Sequence, residues 1–270
     1  MLSMCPRIVG LLMVAASWPA HGSVERLAPE QMREATFLET ISIPSPGEFF
    51  VAIDKVSQPN WSKVLRPSNF SAASEREHIA LQLGMVLADG FVAIEAQDGQ
   101  GVKNTARDVL ALAKKLNVSH DILARSQSIS DFAQAGDWRR LRVEFDAMQN
   151  DIRLSLLEQK DSSLVILMMA GSWVRQMDVA SNIFLKLEEG PASMALLRQS
   201  ELASRILSRI EHLPEASKKS DLVQRVIEVL RNVSSSMSDG TSSLPPGFLA
   251  NMASSLSAIT SAAADADSKK

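Results

Sequence analysis

The chain has no tyrosine and a single cysteine, and aromatic residues make up only 5% of it. One thiol excludes an internal disulfide framework and any zinc site built on cysteines. Few aromatics leave little material for the stacking platforms that sugar sites normally offer. Neither charge sign dominates: 28 Lys and Arg stand against 31 Asp and Glu, a net charge of −3. A dedicated nucleic-acid binder would be strongly basic, so no nucleic-acid partner is expected. What the 270 residues do have is apolar content, 46% of the chain, enough to bury a sizeable core.

Met1 to Gly22 reads as a secretory signal peptide: Arg7, then the apolar run Ile8–Ala16, then Pro19 and the small residues Ala20 and Gly22. The run is too short to span a bilayer. Cys5 precedes it, where a lipoprotein acceptor would follow it, so no lipid anchor is expected. The reading is an exported protein, periplasmic or secreted, with no thiol and no transmembrane helix once the signal is removed.

The rest carries helical spacing almost throughout and no sustained alternation of period two. Leu27, Met32, Ala35, Leu38 and Ile41 make a first stripe. Ser45-Pro46-Gly47-Glu48 announces a second helix by a capping box and a proline at its first position, with Phe49, Phe50, Ile53 and Val56 as its inner side. Residues 74–97 form a long apolar helix. Asp98-Gly99-Gln100-Gly101 breaks it before a stripe from Val102 to Leu116, and Ser119 caps a helix carrying Ile122, Leu123, Ile129 and Phe132. After Gly136-Asp137, the positions Trp138, Leu141, Phe145, Met148, Ile152 and Leu156 step by threes and fours. Leu164 to Val174 is apolar on every side, the mark of a helix surrounded by others. Stripes at 202–213 and 222–233 follow. A helical-repeat register starting at Leu83-Gly84 fails, because Gln100 and Lys103 fall where apolar residues are required.

Composition shifts at Ser234 to a Ser- and Ala-rich segment that reads as a flexible tail, with a short amphipathic helix near 247–262. Its apolar side (Phe248, Leu249, Met252, Leu256, Ile259) opposes an uncharged Ser/Thr face, a combination compatible with membrane-surface contact. The expected architecture is therefore all-α: a signal peptide over 1–22, one bundle-like domain of about ten helices over 23–233, and the tail over 234–270.

Chemistry-bearing patterns are sparse. His78, His120 and His212 stand on separate helices with no second ligand one turn away, so no metal is proposed. No G-x-S-x-G or phosphate-binding loop occurs, and Gly99-Gln100-Gly101 follows a helix rather than a strand, so no cofactor is expected. Glu95 and Asp98 could share a face as a carboxylate pair, but the aromatic shortage speaks against a glycan hydrolase. The Arg139, Arg140 and Arg142 cluster could meet an anion or simply form a solvated face.

The informative polar residues lie inside apolar helices. Asp89, Arg175 and Asp178 need partners if buried, because a lone buried charge costs several kcal/mol. Arg175 and Asp178 are three apart and can pair, and Asp89 could join from a facing helix, with Gly84, Gly90 and Gly171 allowing close approach. Two readings follow. Either Asp89, Glu95, Arg175 and Asp178 line an interhelical ligand pocket, or they are internal ion pairs of a non-enzymatic module that binds a protein partner. The second is preferred. Open access to these residues would favour the first, and mutual pairing the second.

Overall fold

The computed structural model describes residues 45–67, 73–118, 120–187, 191–236 and 247–265. All of them belong to one folded unit, Ile41–Lys270. The expected signal peptide, Cys5, the 27–41 stripe, Ser119 and most of the Ser-rich linker lie outside the described residues.

Every regular element described is helical: α1 (Pro46–Ser57), a 3-10 turn (Trp61–Lys63), α2 (Arg76–Glu95), α3 (Gly99–Lys115), α4 (His120–Ala135), α5 (Trp138–Glu158), α6 (Ser162–Phe184), α7 (Pro191–Leu197), α8 (Ser200–Glu211), α9 (Glu215–Lys218), α10 (Asp221–Ser236) and α11 (Phe248–Ala264). The protein is all-α, as its periodicity requires.

Local chemistry sets the ends. The Ser45 side chain accepts from the Glu48 amide, and the Glu48 carboxylate accepts from the Ser45 amide, each at 3.2 Å. Asp98 caps α3 by accepting from the amides of Gln100 and Gly101. Gly99 and Gly101 thus belong to the first turn of α3, and the break expected there falls one step earlier. Gly136, at φ +67°, turns the chain between α4 and α5, and Asp137 caps α5 through the Arg140 amide.

The axle of the unit is the α2–α6 pair. α2 is long and apolar enough to cross a membrane by length and composition, yet most of it is buried inside the fold. Two glycines bring the backbones together. A Cβ on Gly84 would lie 1.9 Å from the Met168 carbonyl oxygen, and one on Gly171 would lie 2.1 Å from that of Leu81. Gly90 serves a different contact: it faces the ring of Phe145 on α5, which packs edge-on against Phe91. α3 covers α2, the α4–α5 hairpin lies on α3 and α2, α8 and α11 pack on α6, and α10 lies on α8 and α11.

On α5, Leu141, Phe145, Met148, Ile152 and Leu156 are fully buried, while Trp138 is partly exposed. Two expected inner residues are outside. Val56 is exposed because Trp61 returns against Phe50 and fills that end of α1, held by an indole hydrogen bond to Asp54. Leu123 is exposed because Ile122 and Ile129, seven residues apart, define the inner line of α4 and Leu123 stands a quarter-turn away.

α11 is laid onto α6 and α10, with Leu249, Met252, Leu256, Ile259 and Ala263 buried. The boundary expected at residue 233 therefore does not separate this helix from the domain.

Candidate functional site

α2, α6, α11 and the segment after the 3-10 turn meet around one guanidinium. Arg175 is buried on α6. Its Nε donates to Asp89 Oδ1 at 2.6 Å, one Nη donates to Asp178 Oδ2 at 2.6 Å, and the other donates to the Val64 carbonyl at 2.9 Å. Arg66 donates to the second oxygen of Asp89 and reaches the Thr260 carbonyl at 3.3 Å. Two arginines thus face two aspartates, and the formal charges cancel.

Asp178 is as enclosed as Arg175. Its carboxylate accepts from the Ser257 hydroxyl at 2.6 Å, the Asn182 amide at 2.9 Å and the Thr260 hydroxyl at 3.2 Å. Burial raises the affinity of Asp89 for a proton, but the charges of Arg175 and Arg66 and their hydrogen bonds outweigh it, leaving the carboxyl below its ordinary value of 3.8. Burial likewise works against the charge of Arg175, and Asp89 and Asp178 overcome it, so the guanidinium holds its proton more tightly than usual. A carboxylate held this firmly ionised is a poor general acid or base at neutral pH.

Of the residues singled out in sequence, Asp89, Arg175 and Asp178 come together. Glu95 does not join them. It lies on α2 nearly two turns beyond Asp89 and takes a two-point grip from Arg142 on α5, at 2.7 and 2.8 Å. Asp98 is occupied as a helix cap, which separates the carboxylate pair considered above. The arginine cluster is likewise distributed: Arg142 serves Glu95, while Arg140 pairs with Asp137 and sits 5.3 Å from the centre of the Phe132 ring.

Sequence reasoning missed Arg66, Asn182, Ser257 and Thr260. Thr260 left a trace, since it falls four residues after Leu256 on the buried line of α11. Arg66 left none, because it reaches Asp89 from a segment without regular structure.

Elsewhere, a polar cleft of about 590 Å³ opens where the first turns of α2 and α10 approach the end of α11. Glu75, Asp221 and Asp265 line it together with His78, Lys219 and Arg225. Both charge signs are present, so no ligand class is selected. Among the described residues, no group of three or more His, Cys, Asp or Glu is placed to hold a metal ion. His212 bonds its own helix through the Ser208 carbonyl.

No known family model matches the chain, nor does any curated protein or solved structure.

Proposed function

We propose that the protein is an exported, non-enzymatic helical module that works by binding a protein partner. In this reading Arg66, Asp89, Arg175 and Asp178 are an internal clamp rather than a ligand pocket. The observation that supports it is the mutual saturation of the cluster. Every hydrogen-bonding nitrogen group of Arg175 has a protein acceptor, both oxygens of Asp89 accept from arginine, and both oxygens of Asp178 accept from side chains of α6 or α11. A small ligand would have to displace bonds that are already charge-assisted, those of Asp178 to Arg175 buried and those of Asp89 to Arg175 and Arg66 partly so.

The apolar side of α11, the element first considered for membrane contact, is occupied by α6 and α10, which also favours a soluble partner over a lipid surface.

The test is chemical crosslinking of the full chain in its native envelope, followed by mass spectrometry, repeated with Asp89→Asn below its melting temperature. The proposal expects one stoichiometric protein adduct, captured equally by both forms. No adduct, or an adduct lost with Asp89→Asn while the fold persists, would return weight to the pocket reading.

A further inference from the structure

Between α3, α4 and α5 lies a cavity of about 180 Å³, lined by Ala106, Arg107, Leu110, Ile122, Ser126, Ile129 and Met148. Its origin is legible in the residues. α3 buries Val102, Val109, Leu112 and Ala113 and leaves Ala106 and Leu110 half-buried on another side. α4 presents Ile122 and Ile129 with Ser126 between them, and Ser126 turns its hydroxyl back to the carbonyls of Ile122 and Leu123. Two small side chains, Ala106 and Ser126, thus stand where larger ones would close the contact. Met148, fully buried, lines the same space with a flexible thioether.

The space is half open to solvent, with Ser126 and Arg107 exposed at its mouth and aliphatic carbon lining its floor, so an apolar guest would displace water from that carbon. An apolar cavity of about 150 Å³ admits a benzene ring, so this one has room for about six carbons. Its one charged lining residue is Arg107, exposed, whose guanidinium engages a neutral partner, the Asn104 amide oxygen, at 3.1 Å. That bond is to a neutral group, and among the described residues Arg107 is in no ion pair with a carboxylate.

We propose that this cavity binds a small amphiphilic carboxylate, with its alkyl chain among Ala106, Leu110, Ile122, Ile129 and Met148 and its head on Arg107. The site is separate from the buried clamp and does not depend on the partner-binding reading.

Sodium hexanoate, 1-hexanol and hexylammonium chloride are titrated into the full chain labelled at its methionine methyls, the Met148 signal being assigned with Met148→Leu. Hexanoate shifts the Met148 methyl saturably, hexanol binds about tenfold more weakly, the worth of one charge-assisted contact, and hexylammonium does not saturate. Arg107→Gln brings hexanoate to the level of hexanol. Ser126→Leu, which fills the cavity, abolishes the shift, and Ala106→Leu does so if Ser126→Leu does not fold. The proposal is overturned if hexanoate leaves Met148 unmoved up to its solubility, if the three probes bind alike, or if a folded filling variant still shows the shift.

Discussion

Arg175 ties the two central helices together: its Nε reaches Asp89 on α2 and one Nη reaches Asp178, a turn further along α6, both at 2.6 Å. One guanidinium therefore fixes the register of α2 against α6 and, through Asp178, anchors α11. Burying such charges is expensive, and mutual pairing offsets the cost. Such a network tends to contribute more to the uniqueness of an arrangement than to its net stability, while removing a single partner is strongly destabilising.

Glycine-to-alanine changes in the middle of the axle should reverse their usual sign. In a solvent-facing helix the change stabilises by up to about 1 kcal/mol. At Gly84 or Gly171 the new methyl meets backbone carbonyl oxygen at 1.9 or 2.1 Å, and backbone cannot move aside cheaply. Each substitution is expected to cost at least about 3 kcal/mol in urea denaturation or to prevent folding. A loss below 1 kcal/mol would mean the helices are not in that contact.

Two aspartates should bend the stability profile in opposite directions. Asp89 has a depressed pKa, so its contribution is present above the unfolded value of about 3.9 and is lost as pH falls through the lower folded one. The penalty of Asp89→Asn should therefore shrink below about pH 4. Asp146 is held up by burial and by the charge of Glu48, against a hydrogen bond from Ser45. The fold therefore disfavours its charged form relative to the unfolded chain, and stability is withdrawn as pH rises through its raised value. Asp146→Asn should raise the denaturation midpoint at pH 7 and bring no gain at pH 3.

Glu95 should behave as a bystander to the clamp. Glu95→Gln loses the two-point bond to Arg142, worth about 1 kcal/mol for a partly exposed pair. Six residues of helix separate it from Asp89, so its effect should add to that of Asp89→Asn within about 0.5 kcal/mol. Non-additivity beyond that would place Glu95 in the same unit as Asp89.

α11 should prove structural. Thr260→Val and Ser257→Ala each remove a hydroxyl from Asp178, and each is expected to lower stability by about 1–2 kcal/mol. Truncation after residue 246 should expose the apolar surfaces of α6 and α10, read as dye binding and a lowered melting temperature. If truncation leaves the melt unchanged, the packing of α11 is dispensable.

How much of this could be read from the residues alone depended on distance along the chain. Helix identity is local: the three-and-four spacing of Leu141 to Leu156 and the capping box at Ser45 sufficed. The close pair Arg175–Asp178 is local as well, and the demand of Asp89 for a buried partner follows from solvation cost. Arg66, Ser257 and Thr260 reach the site across long chain separations; the spacing of α11 marks Thr260 as inward-facing, but no spacing rule names the partner of any of the three. Glu95 shares a helix with Asp89, yet almost two turns separate them, enough to direct them to different neighbours. Val56 and Leu123 continue apolar patterns whose inner positions were already filled by Trp61 and Ile122.

A double-mutant cycle on Asp89 and Arg175 tests the clamp most directly, using Asp89→Asn, Arg175→Gln and both together, with urea unfolding as readout. Asp178 keeps Ser257, Asn182 and Thr260 when Arg175 is replaced, which isolates the pair. The clamp predicts a coupling energy of about 2 kcal/mol or more. A coupling near zero, with folded variants as stable as the parent chain, would contradict it.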